Sequence, residues 1–238
     1  MKALVIIPAY NEEKNLAKLL EKLTESCPGL DTVVVNDCSA DGTSEISRDS
    51  GAYVIDLPVN LGIGGAVQAG YRYAMYRGYD AAVQVDGDGQ HDPVYIPKLL
   101  NELKKGANIS IGSRFISGEG FQSTRARRLG IRYFSGLIYL MTGRSVTDPT
   151  SGFRACDRKA IKLFALDYPR DYPEPEAIVN ASRHGLKISE VPVVMNPREE
   201  GKSSISGLKS LYYMIKVSLA IIIASFSRYG KTEVNPYE

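Results

Sequence analysis

The stretch Val83-Gln84-Val85-Asp86-Gly87-Asp88-Gly89-Gln90-His91 carries the residues whose spacing best suits chemistry. An apolar run over residues 81–85 stops at two carboxylates separated by one glycine. Such a run reads as a buried strand, and Gly87 lets the chain bend where the strand ends, so Asp86 and Asp88 can address one point in space. Two carboxylates and the Gln90 amide oxygen suit a hard divalent cation, which prefers oxygen ligands and keeps water or substrate phosphate in its other positions. The same residues also make a polar turn, because Asp and Gly are common turn formers. Spacing alone does not choose between the two readings; the surrounding elements do.

Residues 3–7 form an apolar run closed by Pro8, as expected for a strand covered on both faces. Asn11 can cap a helix with Glu12 and Glu13 in its first turn, and Leu16, Leu19, Leu20 and Leu23 then fall on one helical face. A strand over 32–35 runs into the polar loop Asn36-Asp37-Cys38-Ser39-Ala40-Asp41-Gly42-Thr43, then a short helix, then a strand over 52–57. This β-α-β-α-β alternation predicts a mostly parallel sheet with right-handed crossovers and helices on both faces. Ligands in such sheets bind beyond the carboxyl ends of the strands. Those ends are Pro8-Ala9-Tyr10, Asn36-Asp37 and Asp86-Gly87-Asp88, three polar segments on one sheet edge. They define a site.

Other motifs are weaker. Asn60-Leu61-Gly62-Ile63-Gly64-Gly65-Ala66 opens a helix to about residue 77, but it lacks a P-loop lysine, and Val67 stands where the Rossmann pattern needs its third glycine. Close helix–sheet packing through Ala66, Ala69, Gly70 and Ala74 is the better reading. Beyond the acidic turn the pattern gives a helix over 93–105 and a strand over 107–111 that ends in Gly112-Ser113-Arg114. Arg125, Arg127, Arg128 and Arg132 sit on or before a helix containing Ser135, either as a solvated face or as a grip for an anion. Asp148-Pro149-Thr150-Ser151-Gly152-Phe153-Arg154 reads as a turn before a helix over 157–164. Glu174 and Glu176 sit where a helix start favours acids, and with Asp148 they are the carboxylates available to take a proton.

A strand over 188–195 leads to the polar loop 197–204, and residues 208–226 are strongly apolar between Lys209, Lys216, Arg228 and Lys231. That segment is too short and too charged to span a membrane, and reads as a helix in the membrane interface or one packed on the core or a partner subunit. The expected division is a catalytic domain over 1–204 and a membrane-facing appendage over 205–238. With 24% charged residues and a net charge of +2, the chain is neither a disordered tail nor a strongly basic nucleic-acid binder. Three cysteines without metal-ligand spacing, two histidines and an apolar strand straight after Met-Lys fit a cytoplasmic chain with reduced thiols and no leader.

The ordered motifs Ile7-Pro8-Ala9-Tyr10-Asn11-Glu12, Asn36 to Thr43, Asn60-Leu61-Gly62-Ile63-Gly64-Gly65, Asp86-Gly87-Asp88-Gly89-Gln90-His91, Gly112-Ser113-Arg114, Asp148 to Arg154, and Arg198 with Gly201-Lys202-Ser203 resemble the family 2 glycosyltransferases. The likeness is to the dolichol- or polyprenyl-phosphate sugar transferase branch and covers residues 3–204. It implies a GT-A fold, a UDP- or GDP-sugar donor and Mg2+ or Mn2+. By motif, Pro8, Ala9, Tyr10, Glu12, Asp37 and Gly87 would line the nucleotide-sugar pocket, and Asp86, Asp88 and Gln90 would hold metal and diphosphate. Arg198 and Lys202 would close on the donor, while Arg114, Arg128, Arg132 and Ser135 would meet the acceptor phosphate. The catalytic set is then Asp86, Asp88 and Arg114, joined by Glu174 or Glu176 where a hydroxyl must lose its proton. The expected activity is inverting transfer to a polyprenyl phosphate at the inner membrane face, with a saccharide acceptor as the alternative. A non-catalytic nucleotide-sugar-binding protein is the reading from another class. Self-association is open, and no nucleic-acid partner is implied.

Overall fold

The computed structural model of the chain describes residues 1–120, 124–196 and 208–226. Seven strands form one sheet: β1 (Ala3–Ala9), β2 (Asp31–Asn36), β3 (Tyr53–Asp56), β4 (Ala81–Gln84), β5 (Ile109–Ser113), β6 (Arg154–Asp157) and β7 (Ile188–Pro192). Their order across the sheet is β3-β2-β1-β4-β6-β5-β7. β1 to β4 are mutually parallel, as the alternating pattern requires. β6 is the exception, running antiparallel to both β4 and β5.

Among the described residues, eight α-helices cover the two faces: α1 (Glu13–Ser26), α2 (Thr43–Asp49), α3 (Gly62–Tyr76), α4 (Ile96–Lys104), α5 (Arg125–Thr142), α6 (Arg158–Leu166), α7 (Pro173–Arg183) and α8 (Leu208–Phe226). Strand alternation explains why β1 is apolar throughout. Val5 and Ile7 join Leu16, Leu19, Leu20 and Leu23 of α1 and Ile96 and Leu99 of α4 in one core. Leu4 and Ile6 face the other core, with Val67 and Tyr71 of α3, Phe134 of α5 and Phe164 of α6. The small residues of α3 serve packing: a Cβ on Gly70 would stand 2.3 Å from the Ile6 side chain.

The sequence reading passes directly from the 148–154 turn to a helix and misses β6. That strand is four residues long and begins with an arginine, so it presents no apolar run. The helix after it starts at Asp157, whose carboxylate accepts from the amides of Lys159 and Ala160.

The apolar carboxyl end has one buried face and one exposed face on α8. Val217, Ile221 and Ala224 are buried in the core shared with α5 and α7. Tyr212, Ile215, Leu219, Ile223 and Phe226 form an exposed stripe, and Leu129, Tyr133 and Leu140 of α5 are exposed too. Lys216 pairs with Asp171 at 2.7 Å instead of reaching outward alone. Among the described residues, no helix is long and apolar enough to cross a membrane.

Candidate active site

The carboxyl ends of β1, β2 and β4 meet, as parallel topology dictates. They enclose a cleft of about 320 Å³ lined by Pro8, Ala9, Tyr10, Glu12, Asp37, Ile63, Ala66, Asp86, Gly87 and Asp88. The residues assigned from sequence to the nucleotide side therefore line one space, apart from Gln90, which is not in its lining, and Arg198 and Lys202, which lie outside the described residues. The loops at its rim are cross-linked. Asn11 donates its backbone N–H to the Ser39 hydroxyl at 2.9 Å and accepts from the Ala40 amide at 2.9 Å through its side chain. Asn11 and Cys38 both take left-handed backbone conformations, with φ of 55° and 61°. Asn tolerates that region, whereas for Cys38 it is a strain held by the surrounding loop. The Asp37 carboxylate accepts from the amides of Leu61 at 2.7 Å and Gly62 at 2.9 Å, fixing the start of α3 against the cleft.

The acidic turn is held by side chains that the sequence reading did not single out. The Asp86 amide donates to His91 Nδ1 at 3.0 Å, which makes Nδ1 the acceptor nitrogen of that ring. His91 is buried and stacks on Phe153 with centroids 4.9 Å apart and planes 12° apart. Its Nε2 lies 3.7 Å from Asp86 Oδ2, and Gln84 Nε2 donates to Asp86 Oδ1 at 3.2 Å. Asp88 accepts from the Gln90 amide at 3.1 Å. The Gln90 side chain donates to the Asn196 carbonyl at 3.4 Å, joining the turn to the segment after β7. Gly152 presses on this group: a Cβ there would lie 2.9 Å from each Asp86 carboxylate oxygen.

Among the described residues, no group of three or more His, Cys, Asp and Glu side chains gathers as a closed metal cage. The donors present are two carboxylates beside an open cleft, with Asp86 about one-third exposed at its side chain (35%). That donor set fits a hard cation that completes its coordination with phosphate oxygens and water.

α7 starts beside β6, where Arg154 Nη1 donates to the Glu174 carbonyl at 3.4 Å. Burial pushes the Glu174 carboxyl up to about 7; Arg154 opposes the rise and the Asp86 charge adds to it. Glu176 is also raised by burial, but the nearby charge it feels is Asp167, because two residues along a helix point to different faces. Of the two glutamates, Glu174 is the one within the field of the acidic turn. Tyr172, before α7, is a third left-handed residue (φ 50°), and its ring packs edge-on against Tyr213 of α8 with centroids 4.5 Å apart.

The arginines separate into distinct environments. Arg114 is buried and forks onto Asp148 with two 2.7 Å hydrogen bonds, and Asp148 is fully buried. Contact with an acceptor phosphate would require that pair to open, and Asp148 is equally committed. Arg128, Arg132 and Ser135 share one face of α5 by spacing, with Arg132 exposed and Arg128 half-buried. The Ser135 hydroxyl donates to the Ile131 carbonyl of its own helix at 3.0 Å. Arg127, a member of the same arginine cluster, opposes the rise that burial imposes on Glu174 and Tyr213. Gly152 and Arg154 lie in the quoted Asp148 to Arg154 motif, and only the fold shows what they touch.

A parallel α/β sheet whose strand ends converge on paired carboxylates, with an antiparallel strand beyond them, is the architecture of a GT-A glycosyltransferase. The chain belongs to glycosyl transferase family 2, whose family model matches residues 4–164. It is 36% identical over 217 residues to the undecaprenyl-phosphate mannosyltransferase of Micrococcus luteus, covering 87% of this chain and 88% of that one. It is 31% identical over 227 residues to the polyprenol monophosphomannose synthase of Mycolicibacterium smegmatis, covering 91% and 86%. Its fold is similar to glucosyl-3-phosphoglycerate synthase from Mycobacterium tuberculosis, solved with Mn2+, uridine-diphosphate-glucose and phosphoglyceric acid. The TM-score is 0.72 at 21% identity, covering 94% of this chain and 79% of that chain.

Proposed function

We propose that this glycosyltransferase moves a hexose from a nucleoside-diphosphate sugar onto a polyprenyl phosphate, with inversion, at the cytoplasmic face of a membrane. The observation that carries the reading is the joining of two surfaces. The exposed apolar stripe of α8 and the Arg128–Arg132 face of α5 belong to helices that pack beside α7, which brings Glu174 to the acidic turn. An acceptor with an anionic head and a hydrocarbon tail matches that combination. The two mannosyl-transferring relatives point to the same acceptor class and make mannose the first sugar to test. In this reading residues 1–204 carry the transfer chemistry and 205–238 the membrane-facing part.

The cleft among Pro8, Tyr10 and Asp37 takes the nucleoside, so the diphosphate falls at Asp86 and Asp88. Those carboxylates, with Gln90, would hold Mg2+ or Mn2+, which neutralises charge developing on the departing diphosphate. Asp37 fixes the mouth of α3, and His91 and Gln84 orient Asp86. A phosphate acceptor is already anionic at neutral pH, so its oxygen attacks the anomeric carbon without a base. Arg127, Arg128 and Arg132 supply positive charge on its approach side, and Arg198 and Lys202 are assigned to the donor diphosphate by motif.

The test is turnover of a donor panel, GDP-mannose included, with Mn2+ and undecaprenyl phosphate. Label in the lipid fraction is expected. Label in sugar acceptors with the lipid phosphate inert would overturn the reading. That outcome would favour a second one, in which the Glu174 carboxyl, poised near neutral pH, takes the proton of a saccharide hydroxyl.

A further inference from the structure

We infer that Arg154 is a positioning residue: one guanidinium ties the strip that packs on Asp86 to the first turn of α7, and so sets the spacing between the two sides of the reaction. This rests on the glycosyl-transfer reading of the same site.

Arg154 opens β6 opposite Gln84 in the ladder and is fully buried. Its Nε and Nη2 both donate to the Ser151 carbonyl, at 3.2 and 2.6 Å. Its Nη1 donates to the Glu174 carbonyl at 3.4 Å. Among the described residues it forms no ion pair within 4 Å. A buried cation without a paired carboxylate is costly, and an apolar residue of similar size would serve a core better. Besides its charge opposing the rise of Glu174, the guanidinium here does geometric work through its hydrogen bonds. Ser151 immediately precedes Gly152, the residue with no room for a Cβ against the Asp86 carboxylate. Holding the Ser151 carbonyl therefore holds the surface on which Asp86 rests, and holding the Glu174 carbonyl fixes where α7 enters the site.

Only a planar fork reaches two carbonyls in different directions at once; a lysine ammonium reaches one of them and keeps the charge. The donor cleft is lined by residues at and beyond the carboxyl ends of β1, β2 and β4 and by Ile63 and Ala66 of α3, and does not include Arg154. Loss of the fork should therefore leave donor binding in place and misplace the reacting groups relative to each other.

The test uses the full chain with Arg154→Met and Arg154→Lys. Nucleoside diphosphate binding with Mn2+ is measured by calorimetry, and sugar transfer to the acceptor that wild type uses is measured in parallel. The expected result is a Kd within about 3-fold of wild type, a kcat lower by about 10- to 100-fold for Arg154→Met, and partial recovery in Arg154→Lys. Wild-type kcat in Arg154→Met, equal losses of binding and turnover, or no recovery with lysine would each overturn the inference. If Arg154→Met does not fold, the same split must appear in Arg154→Lys. If neither folds, Arg154 is a structural residue alone and the inference fails. A wild-type enzyme that transfers sugar to no acceptor would instead remove the functional reading beneath it.

Discussion

Gly152→Ala isolates the placement of the Asp86 carboxylate. A Cβ at position 152 would stand 2.9 Å from both Asp86 oxygens and 3.0 Å from Gln84 Nε2. Ordinary contact begins near ~3.4 Å, so the carboxylate must retreat by roughly 0.5 Å. It cannot do so freely, because Gln84 donates to one oxygen and His91 lies beside the other. A displacement of that size in a reacting constellation costs about 10- to 50-fold in kcat/KM, or about 1.4–2.3 kcal/mol of transition-state stabilisation. The fold should survive: overpacking costs about 1–3 kcal/mol, partly offset by about 0.4–1 kcal/mol from a less flexible unfolded chain. Steady-state sugar transfer and a thermal melt measured on one preparation separate the two effects. Gly112→Ala supplies the contrast, since its Cβ would meet only Phe153 and Val193, at 3.1 Å. That variant should lower the melting temperature and spare turnover. Wild-type turnover in Gly152→Ala, or equal profiles for the two variants, would refute the argument that Gly152 positions Asp86.

Three further outcomes follow from the same geometry. Asp88→Asn should remove most divalent-dependent donor turnover while leaving the far-UV circular dichroism unchanged; activity that still responds to Mn2+ would show that Asp88 is not a ligand. Glu174→Gln should change the pH dependence of stability. The wild-type carboxyl is raised from 4.5 to about 7, so its contribution is fully present below pH ~4.5 and is lost as pH rises through about 7. Melts should therefore show wild type falling relative to the variant across that window, by up to about 3 kcal/mol, and parallel curves would contradict the burial of the charge. Replacing Tyr212, Leu219 and Phe226 together by serine should cut flotation with anionic phospholipid vesicles several-fold without lowering the melting temperature, because all three side chains are exposed. Undiminished flotation would move the membrane contact away from α8.

The amino-terminal half was legible because its signals are local. Apolar runs of strand length, leucines at helical spacing and polar residues at each strand end point Pro8, Tyr10, Asp37, Asp86 and Asp88 to one sheet edge, where they line one cleft. The other half depends on partners distant in sequence. β6 is invisible as a pattern because its four residues begin with an arginine, which is stabilised by carbonyls at residues 151 and 174. Sequence alone reads Arg114 as a residue that meets an acceptor phosphate, and Asp148, 34 residues away, instead holds its guanidinium in a buried fork. Glu174 and Glu176 are indistinguishable as text, and separate only through the charge each feels, Asp86 for one and Asp167 for the other. The apolar stretch over α8 resisted a single reading because a helix has two sides, one buried against α5 and α7 and the other exposed.

That last feature governs how the chain can be handled. Val217 and Ile221 fill the same core as Phe134 and Ile138 of α5, and Tyr213 closes edge-on over Phe134 with centroids 5.5 Å apart. Trimming the sticky carboxyl end would therefore strip the cover from α5 and α7, exchanging one greasy surface for a larger one. A variant meant to stay dispersed without detergent has to keep α8 and change only its outward stripe, residue by residue.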